Sequence, residues 1–548
     1  MNKEIEDRIR HTRRLLMQAP LLGAGMKIGM GLGLGTLASL AGTASAQGIR
    51  GKGTPLRGGI LQTSLTDPPP NFDPMSNTTG RVLSIVGPCC NGLLRYDEFE
   101  PEKIIPDLAE SYALSEDGKV YTFVLRKGVK FHDGKPCTSA DVKYTFDVVR
   151  NPPQGVISVR SNLLDAVDSI DTPDAYTVRF KLKRKSPSLI ANLASSWMVV
   201  LPRHILEKGP MKDVIIGTGP FKFKEYKHGV SIDLVRNPDY HVAGKPYLDG
   251  VKFFIIPDEN TTYNYFRTGQ LDTWMPPASV ARAREKDLAS RAYLQSGFST
   301  SSLSLFFNAQ MKPWDDVRVR QAACLAINRE ESMKTLYKGE GMQAGYAIPG
   351  PWALPKTSVE KIPGYAPWRE ANLVKARALL AEAGFPNGFK ETMLVRRVPL
   401  FEPHAIFMQD QLARIGIEVT LDIQETATYN ETRRARRFKL DAGGRSFAIN
   451  DPDAMFGDTV TCDAPLNFAK LCDPKIDDLF LRQSQETDAK KRLALVNELE
   501  TLALNQYATY MLYFRSQFRF MQNNVHGWAL HPNVDNATRM EDCWKSKA

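Results

Sequence analysis

Between residues 390 and 425 the chain reads KETMLVRRVPLFEPHAIFMQDQLARIGIEVTLDIQE. An apolar run through Met393 and Val395 is followed by a proline-bearing loop. An amphipathic stretch then stops at Gly416, and a second β-branched run follows. Strand, helix, glycine stop and strand make a βαβ-type unit. Strands joined by such a crossover point the same way, so the sheet is partly parallel and helices cover it. The class is α/β, and everything else must fit around that sheet.

The same grammar recurs along the chain. VYTFVLRKGVKF (120–131) alternates apolar and polar residues through Tyr121, Phe123 and Leu125, as a half-buried strand does. TSADVKYTFDVVRN (138–151) opens on capping residues and sets Val142, Phe146 and Val149 on one helix face. YTVRFKL (176–182) predicts a strand. VKFFIIP (251–257) predicts one covered on both faces, followed by a helix over NTTYNYFRTG and a short strand in QLDTW. Residues 314–339 predict a long amphipathic helix or helix pair, and 370–385 and 488–506 predict further helices. A chain of 548 residues predicts more than one domain. The only composition break lies near the N-terminus, so the chain is expected to pass between lobes more than once.

That break is TRRLLMQAPLLGAGMKIGMGLGLGTLASLAGTASA (12–46). It has a basic head, a weakly apolar middle and Ala44-Ser45-Ala46, an A-x-A cleavage pattern before Gln47. Arg13-Arg14 suits twin-arginine export; an ordinary secretory signal is the alternative. No cysteine precedes Cys89, so no lipid anchor is expected at the cleavage site, and no later run reaches about 18 apolar residues. A soluble periplasmic protein is the expectation. Its net charge of +10 is a mild excess without a long basic run, which argues against nucleic acid as partner.

Seven cysteines in an exported chain invite disulfides. Cys462 and Cys472 bracket a polar loop turned by Pro465 and form the best pair. Cys89, Cys90, Cys137, Cys324 and Cys543 cannot be paired from sequence. Neither C-x2-C nor H-x3-H spacing occurs, so no metal is expected. Nor is there a G-x-S-x-G elbow, a phosphate-cradling loop or an H-E-x-x-H helix. No catalytic residue and no cofactor are expected. An exported enzyme that folds around a cofactor stays open as a reading of another class, supported only by the signal.

Four blocks carry a resemblance. They are LAESYALSEDGKVYTFVLRKGVKFHDGKPCTSADVKYTFD (108–147), GTGPFKFKEYKHGVSIDLVRNPDY (217–240), FNAQMKPWDDVRVRQAACLAINRE (307–330) and ANLVKARALLAEAGFPNG (371–388). In this order they resemble the periplasmic solute-binding proteins of peptide, nickel and opine ABC importers. The resemblance implies the two-lobed periplasmic binding fold with two hinge segments. Lobe I would span 47–305, with an inserted subdomain at about 85–210, and lobe II 306–511; residues 512–548 would return to lobe I. It also implies a monomer that closes on a small-molecule ligand and meets a membrane permease, the ATPase being a separate chain.

The stretch GGRSFAINDPDAMFGD (443–458) then becomes readable as a pocket rim. In peptide-binding relatives the matching segment has a Trp and, three residues on, an Asp that pairs with the peptide ammonium. Aligned on Asp451-Pro452, those positions hold Arg445 and Ala448. The resemblance therefore implies a site better suited to an anion, with Asp451 or Asp453 rescuing ammonium binding as the alternative. Arg396 and Arg397 would take a ligand carboxylate, as Arg forks do. Trp274 would give a flat wall, Phe447 and Arg515 would contribute, and Gly443 and Gly444 would let the backbone approach the ligand. Arg433, Arg434, Arg436 and Arg437 read as a solvated face.

Overall fold

The computed structural model describes residues 54–547 apart from 78, 157, 399, 448, 534, 535 and 537. The export segment and Ala448 lie outside the described residues. The first strand, β1 (Ile60–Leu65), waits for a partner almost two hundred residues on. Next come β2 (Ala109–Leu114) and β3 (Val120–Leu125), where Tyr121, Phe123 and Leu125 are buried. Helix α1 (Ser139–Arg150) begins on a capping box, with the Thr138 N–H donating to Asp141 Oδ2 at 2.9 Å. Its buried face includes Val142, Phe146 and Val149. Strands β4 (Val167–Asp174) and β5 (Thr177–Leu182) complete an antiparallel sheet ordered β2-β3-β5-β4.

Strands β6 (Phe221–Lys227), β7 (Ser231–Arg236) and β8 (Gly250–Ile255) form a second sheet, ordered β1-β8-β7-β6. In β8, Val251, Phe253 and Ile255 are buried but Lys252 and Phe254 only half so, hence the two-sided cover expected of it is partial. The short β9 (Thr273–Trp274) and the long β10 (Ala292–Phe307) lead into the second half. The stretch 314–339 is a pair of helices, α2 (Val317–Ala326) and α3 (Arg329–Tyr337), capped by Asp316 and Asn328. Helix α4 (Ala371–Glu382) ends before Gly384, whose φ of 93° lies in the left-handed region.

The βαβ unit then appears as β11 (Phe389–Arg396), α5 (Phe401–Ala413) and β12 (Ile417–Gln424). Its strands pair in parallel from Phe389↔Ile417 to Arg396↔Gln424. Helix α6 (Thr426–Arg434), β13 (Leu440–Ser446), α7 (Ala489–Asn505) and β14 (Thr509–Gln522) follow. The largest sheet is ordered β9-β14-β10-β13-β11-β12.

Two large apolar cores result. One is built chiefly from residues 61–253 and receives Met521, Val525, Trp528, Met540 and Cys543 from the C-terminal tail. The other is built from residues 303–514. The chain runs between them along β10 and β14, which pair antiparallel and lose register between Phe298 and Ser302. The boundaries expected near 305 and 512 fall inside these two strands rather than in loops.

Candidate ligand-binding site

In an open α/β sheet the crevice outside the carboxyl ends of parallel strands is where ligands bind. Here β11 and β13 run parallel side by side. Arg396 is the last residue of β11 and Arg445 the next to last of β13, so both stand at the carboxyl ends of these strands.

Arg445 sits opposite Ser302 of β10 and is only 6% exposed. Its Cζ lies 5.2 Å from the Phe306 ring centre and 5.4 Å from that of Tyr346. Among the described residues, Nε, Nη1 and Nη2 have no hydrogen-bond partner. Burial pulls its pKa below the usual arginine value, and the nearby Arg433 adds to that. A buried cation in this condition costs several kcal/mol unless an anion joins it.

Arg433 is not part of a solvated face. Its Nε is 2.8 Å from Asp441 Oδ2, its Nη2 donates to Gly444 O at 3.1 Å, and its Cζ lies 4.5 Å from the Phe306 ring and 4.1 Å from that of Phe468. Arg434 and Arg437 are exposed as expected, whereas Arg436 is half-buried and donates to Ala464 O. The two glycines are required by this packing. A Cβ on Gly443 would stand 2.8 Å from Tyr429 Oη, and one on Gly444 2.6 Å from Ser302 O.

Arg396 and Arg397 part company because neighbours on an extended chain point to opposite sides. Arg396 is half-buried, and its Nε donates to Thr426 Oγ1 at 3.0 Å. Burial lowers its pKa, and Arg81 and Asp67 of the facing region are among the charges it feels. Arg397 leaves the crevice: its side chain is 56% exposed and pairs with Glu425 at 2.9 Å.

Four other expected contacts are corrected. Trp274 is 1% exposed, stacks on Phe520 at 5.4 Å and donates its Nε1 proton to Glu259, so it is core and not a cleft wall. Phe447 is 2% exposed and packs near Tyr346 and Phe514 in the second core. Arg515 follows Phe514, the residue opposite Ser302, so it turns to the other face of the sheet and donates to Tyr337 Oη at 3.4 Å. Asp451 is held by Arg492 through two bonds of 2.9 and 3.1 Å and has little left for a ligand. Asp453 also faces Arg492, at 3.4 Å, and accepts from Gln483 Nε2 at 2.6 Å.

The segment 450–458 reaches the first core's residues. Asp453 accepts a short hydrogen bond from Ser188 Oγ. Asn162 hydrogen-bonds Asp458, whose carboxyl is pushed up to about 7 by burial and by Asp165 and Asp453, with Arg160 opposing. Asp453 is pushed up to about 6 by burial and by Asp451. Sequence reading missed Phe306, Tyr346, Asp458 and Arg492 as parts of the site. Asp458 alone had a signal, since it closes the glycine-to-aspartate rim stretch.

The sequence profile of the bacterial extracellular solute-binding proteins, family 5 (Middle), matches residues 103–466. The chain belongs to this family. It is 28% identical to the oligopeptide-binding protein AppA of Bacillus subtilis, over 90% of this chain and 93% of that one. The solved structure of AgaA from A. tumefacien R10, in complex with agropinic acid, superposes with a TM-score of 0.80 at 28% identity, covering 89% of this chain and 99% of AgaA. Helicobacter pylori DppA in complex with the peptide STSA gives 0.78 at 25%, covering 90% and 99%.

The family 5 fold is two-lobed, and the two cores above are built in that arrangement. Family 5 proteins are the substrate-binding components of ABC importers, binding small ligands for delivery to a permease. This family 5 chain joins Cys462 to Cys472 beside the site, with Cα atoms 4.4 Å apart. Among its described residues no group of three or more His, Cys, Asp or Glu is set to hold a metal, and no helix is long and apolar enough to cross a membrane.

Proposed function

We propose that this family 5 protein captures, in the periplasm, a small organic ligand bearing an anionic group. The class is opine-like, a modified peptide or an acyl-amino acid. One observation carries the reading: Arg445 is a buried cation at the strand ends whose nitrogens have no hydrogen-bond partner among the described residues. An anion that meets those donors on lobe closure removes the cost of that burial, so ligand favours the closed form. The likeness to AgaA, solved with agropinic acid, supports the opine-like branch. Export through the N-terminal signal, a monomeric state and a non-enzymatic role belong to the same proposal.

An ordinary peptide binder is the second reading. It is favoured by the likeness to AppA, solved with a nonapeptide at 26% identity. Against it stands the engagement of Asp451 by Arg492, which leaves the rim without an idle carboxylate for a peptide ammonium. Calorimetric titration with agropinic acid and with di- to pentapeptides separates the two. Arg445→Ala should weaken a carboxylate ligand by about 1.5–3 kcal/mol, the range of a charged hydrogen bond. Tight binding of unmodified peptides, untouched by that substitution, would overturn the anionic reading.

A further inference from the structure

Arg445 belongs to a row in which aromatic rings and guanidinium groups alternate. From one end it runs Phe468, Arg433, Phe306, Arg445, Tyr346 and Phe456. The guanidinium carbons lie 4.1 and 4.5 Å from the rings on either side in sequence of the row for Arg433, and 5.2 and 5.4 Å for Arg445. Tyr346 stacks on Phe456 at 5.4 Å and 24°. Its hydroxyl donates to Thr459 Oγ1 at 2.8 Å, and Thr459 in turn donates to Met455 O, which fixes the ring. The two cations differ in their partners: Arg433 pairs with Asp441 and donates to Gly444 O, whereas the Arg445 nitrogens have no hydrogen-bond partner among the described residues.

An aromatic face attracts a cation through its quadrupole without using any N–H donor. It repels an anion for the same reason, because that face is negative. A guanidinium flanked by ring faces therefore keeps its planar fork of donors while the space over the rings is closed to oxyanions. A carboxylate meets such a fork with two coplanar oxygens. Sulfate and phosphate, being tetrahedral, must carry further oxygens out of that plane and toward the rings.

We infer that Phe306 and Tyr346 are specificity-determining residues, which position Arg445 to accept a planar carboxylate and to disfavour tetrahedral oxyanions. This rests on the reading of Arg445 as the anion anchor and narrows the ligand's anionic group to a carboxylate. Phe306 and Tyr346 act through Arg445 and are positioning residues.

The test uses the full mature chain and simple anions. Sodium acetate, sulfate and phosphate are titrated at constant ionic strength against wild type and Arg445→Ala, following thermal unfolding. The difference between the two proteins isolates what passes through Arg445 from general salt effects. Wild type should favour acetate over sulfate and phosphate by about fivefold or more in apparent affinity, the out-of-plane oxygens turned toward the negative ring faces being the cause. Tyr346→Leu should bring that ratio close to one, and Tyr346→Phe, which keeps the ring, should restore most of it. Phe306→Leu is the parallel variant if Tyr346→Leu does not fold. Sulfate or phosphate matching acetate in wild type would overturn the inference while leaving the anion anchor standing. So would a preference that survives both leucine variants. No Arg445-dependent response to any anion would overturn the anchor itself, and the inference with it.

Discussion

Two buried charged regions of this molecule can be set side by side. In the first core, Glu541 meets Arg95 at 2.8 Å and Lys245 at 3.3 Å and accepts from Tyr240, while Arg539 meets Asp107 at 3.0 Å. At the crevice, Arg445 is as deeply buried and has no bonded partner among the described residues. Burial alone would raise the Glu541 pKa, but Arg95 and Lys245 hold it down to about 2. At Arg445 nothing compensates burial to that degree, and the pKa is pulled down. The first region is complete within the chain, so it reads as structure. The second has no bonded partner among the described residues, and the proposed anionic ligand would supply one. Glu98 is the informative exception in the first region. Among the described residues its carboxyl has no hydrogen-bond partner, and burial pushes it up to about 7, so it takes up a proton as pH falls through that value.

The comparison can be broken most directly at Glu541. Glu541→Ala strands Arg95, while Lys245 keeps Asp542 at 2.8 Å, and should cost about 3–5 kcal/mol in urea unfolding, as losing one side of a buried pair does. A cost under about 1 kcal/mol would mean that the cluster is not structural in this sense.

A smaller effect tests the seam by pH. Glu541, depressed in the folded state, supports folding above the usual carboxylate range and loses that support as pH falls toward 2. Asp453 and Asp458 are raised, so they behave in the opposite way. Their protonated forms suit the fold, and support fades as pH rises through about 6 and about 7. Asp458→Asn should thus gain about 1–2 kcal/mol over wild type at pH 8 and almost nothing at pH 3, below the ordinary carboxylate pKa, the figure being discounted for the water that reaches this half-buried group. Equal changes at both pH values would sink the assignment.

The smallest effect is the one that sharpens the contrast. Arg445→Met removes a charge that the ligand-free fold does not use, so stability should hold or rise by about 1 kcal/mol. A large loss would place Arg445 with Glu541, as structure.

What could be read from sequence divides along the range of the cause. The βαβ unit, the capped helix at Ser139–Arg150 and the alternating strand at Val120–Leu125 are set by spacing within a few residues, and periodicity reveals them. Arg445 stood out in the sequence because its neighbours form the glycine-to-aspartate stretch, and its burial became visible only in the fold. Arg433 was not, because Asp441 and the rings of Phe306 and Phe468 come to it through sheet pairing and a distant loop. Asp451 was open to two roles until Arg492, 41 residues on, claimed it. Arg396 and Arg397 differ by a strand's alternation, whose phase is invisible until the neighbouring strand is known. Trp274 looked like a wall only by analogy, and its packing against Phe266 and Phe520 decides otherwise.

The paired strands β10 and β14 have a further consequence, for the order in which the molecule is assembled. Ala292 pairs with Gln522, and the first core needs Val525, Trp528, Met540 and Cys543 to be filled. The first core therefore cannot be completed until residues 521–543 have been made. Contacts of such sequence separation are slow to form, because a long loop must close before they contribute. The middle half, residues 303–514, carries its own core and is free to fold earlier. A truncation that removes only the final twenty residues would spare that middle half and unseal the beginning of the protein.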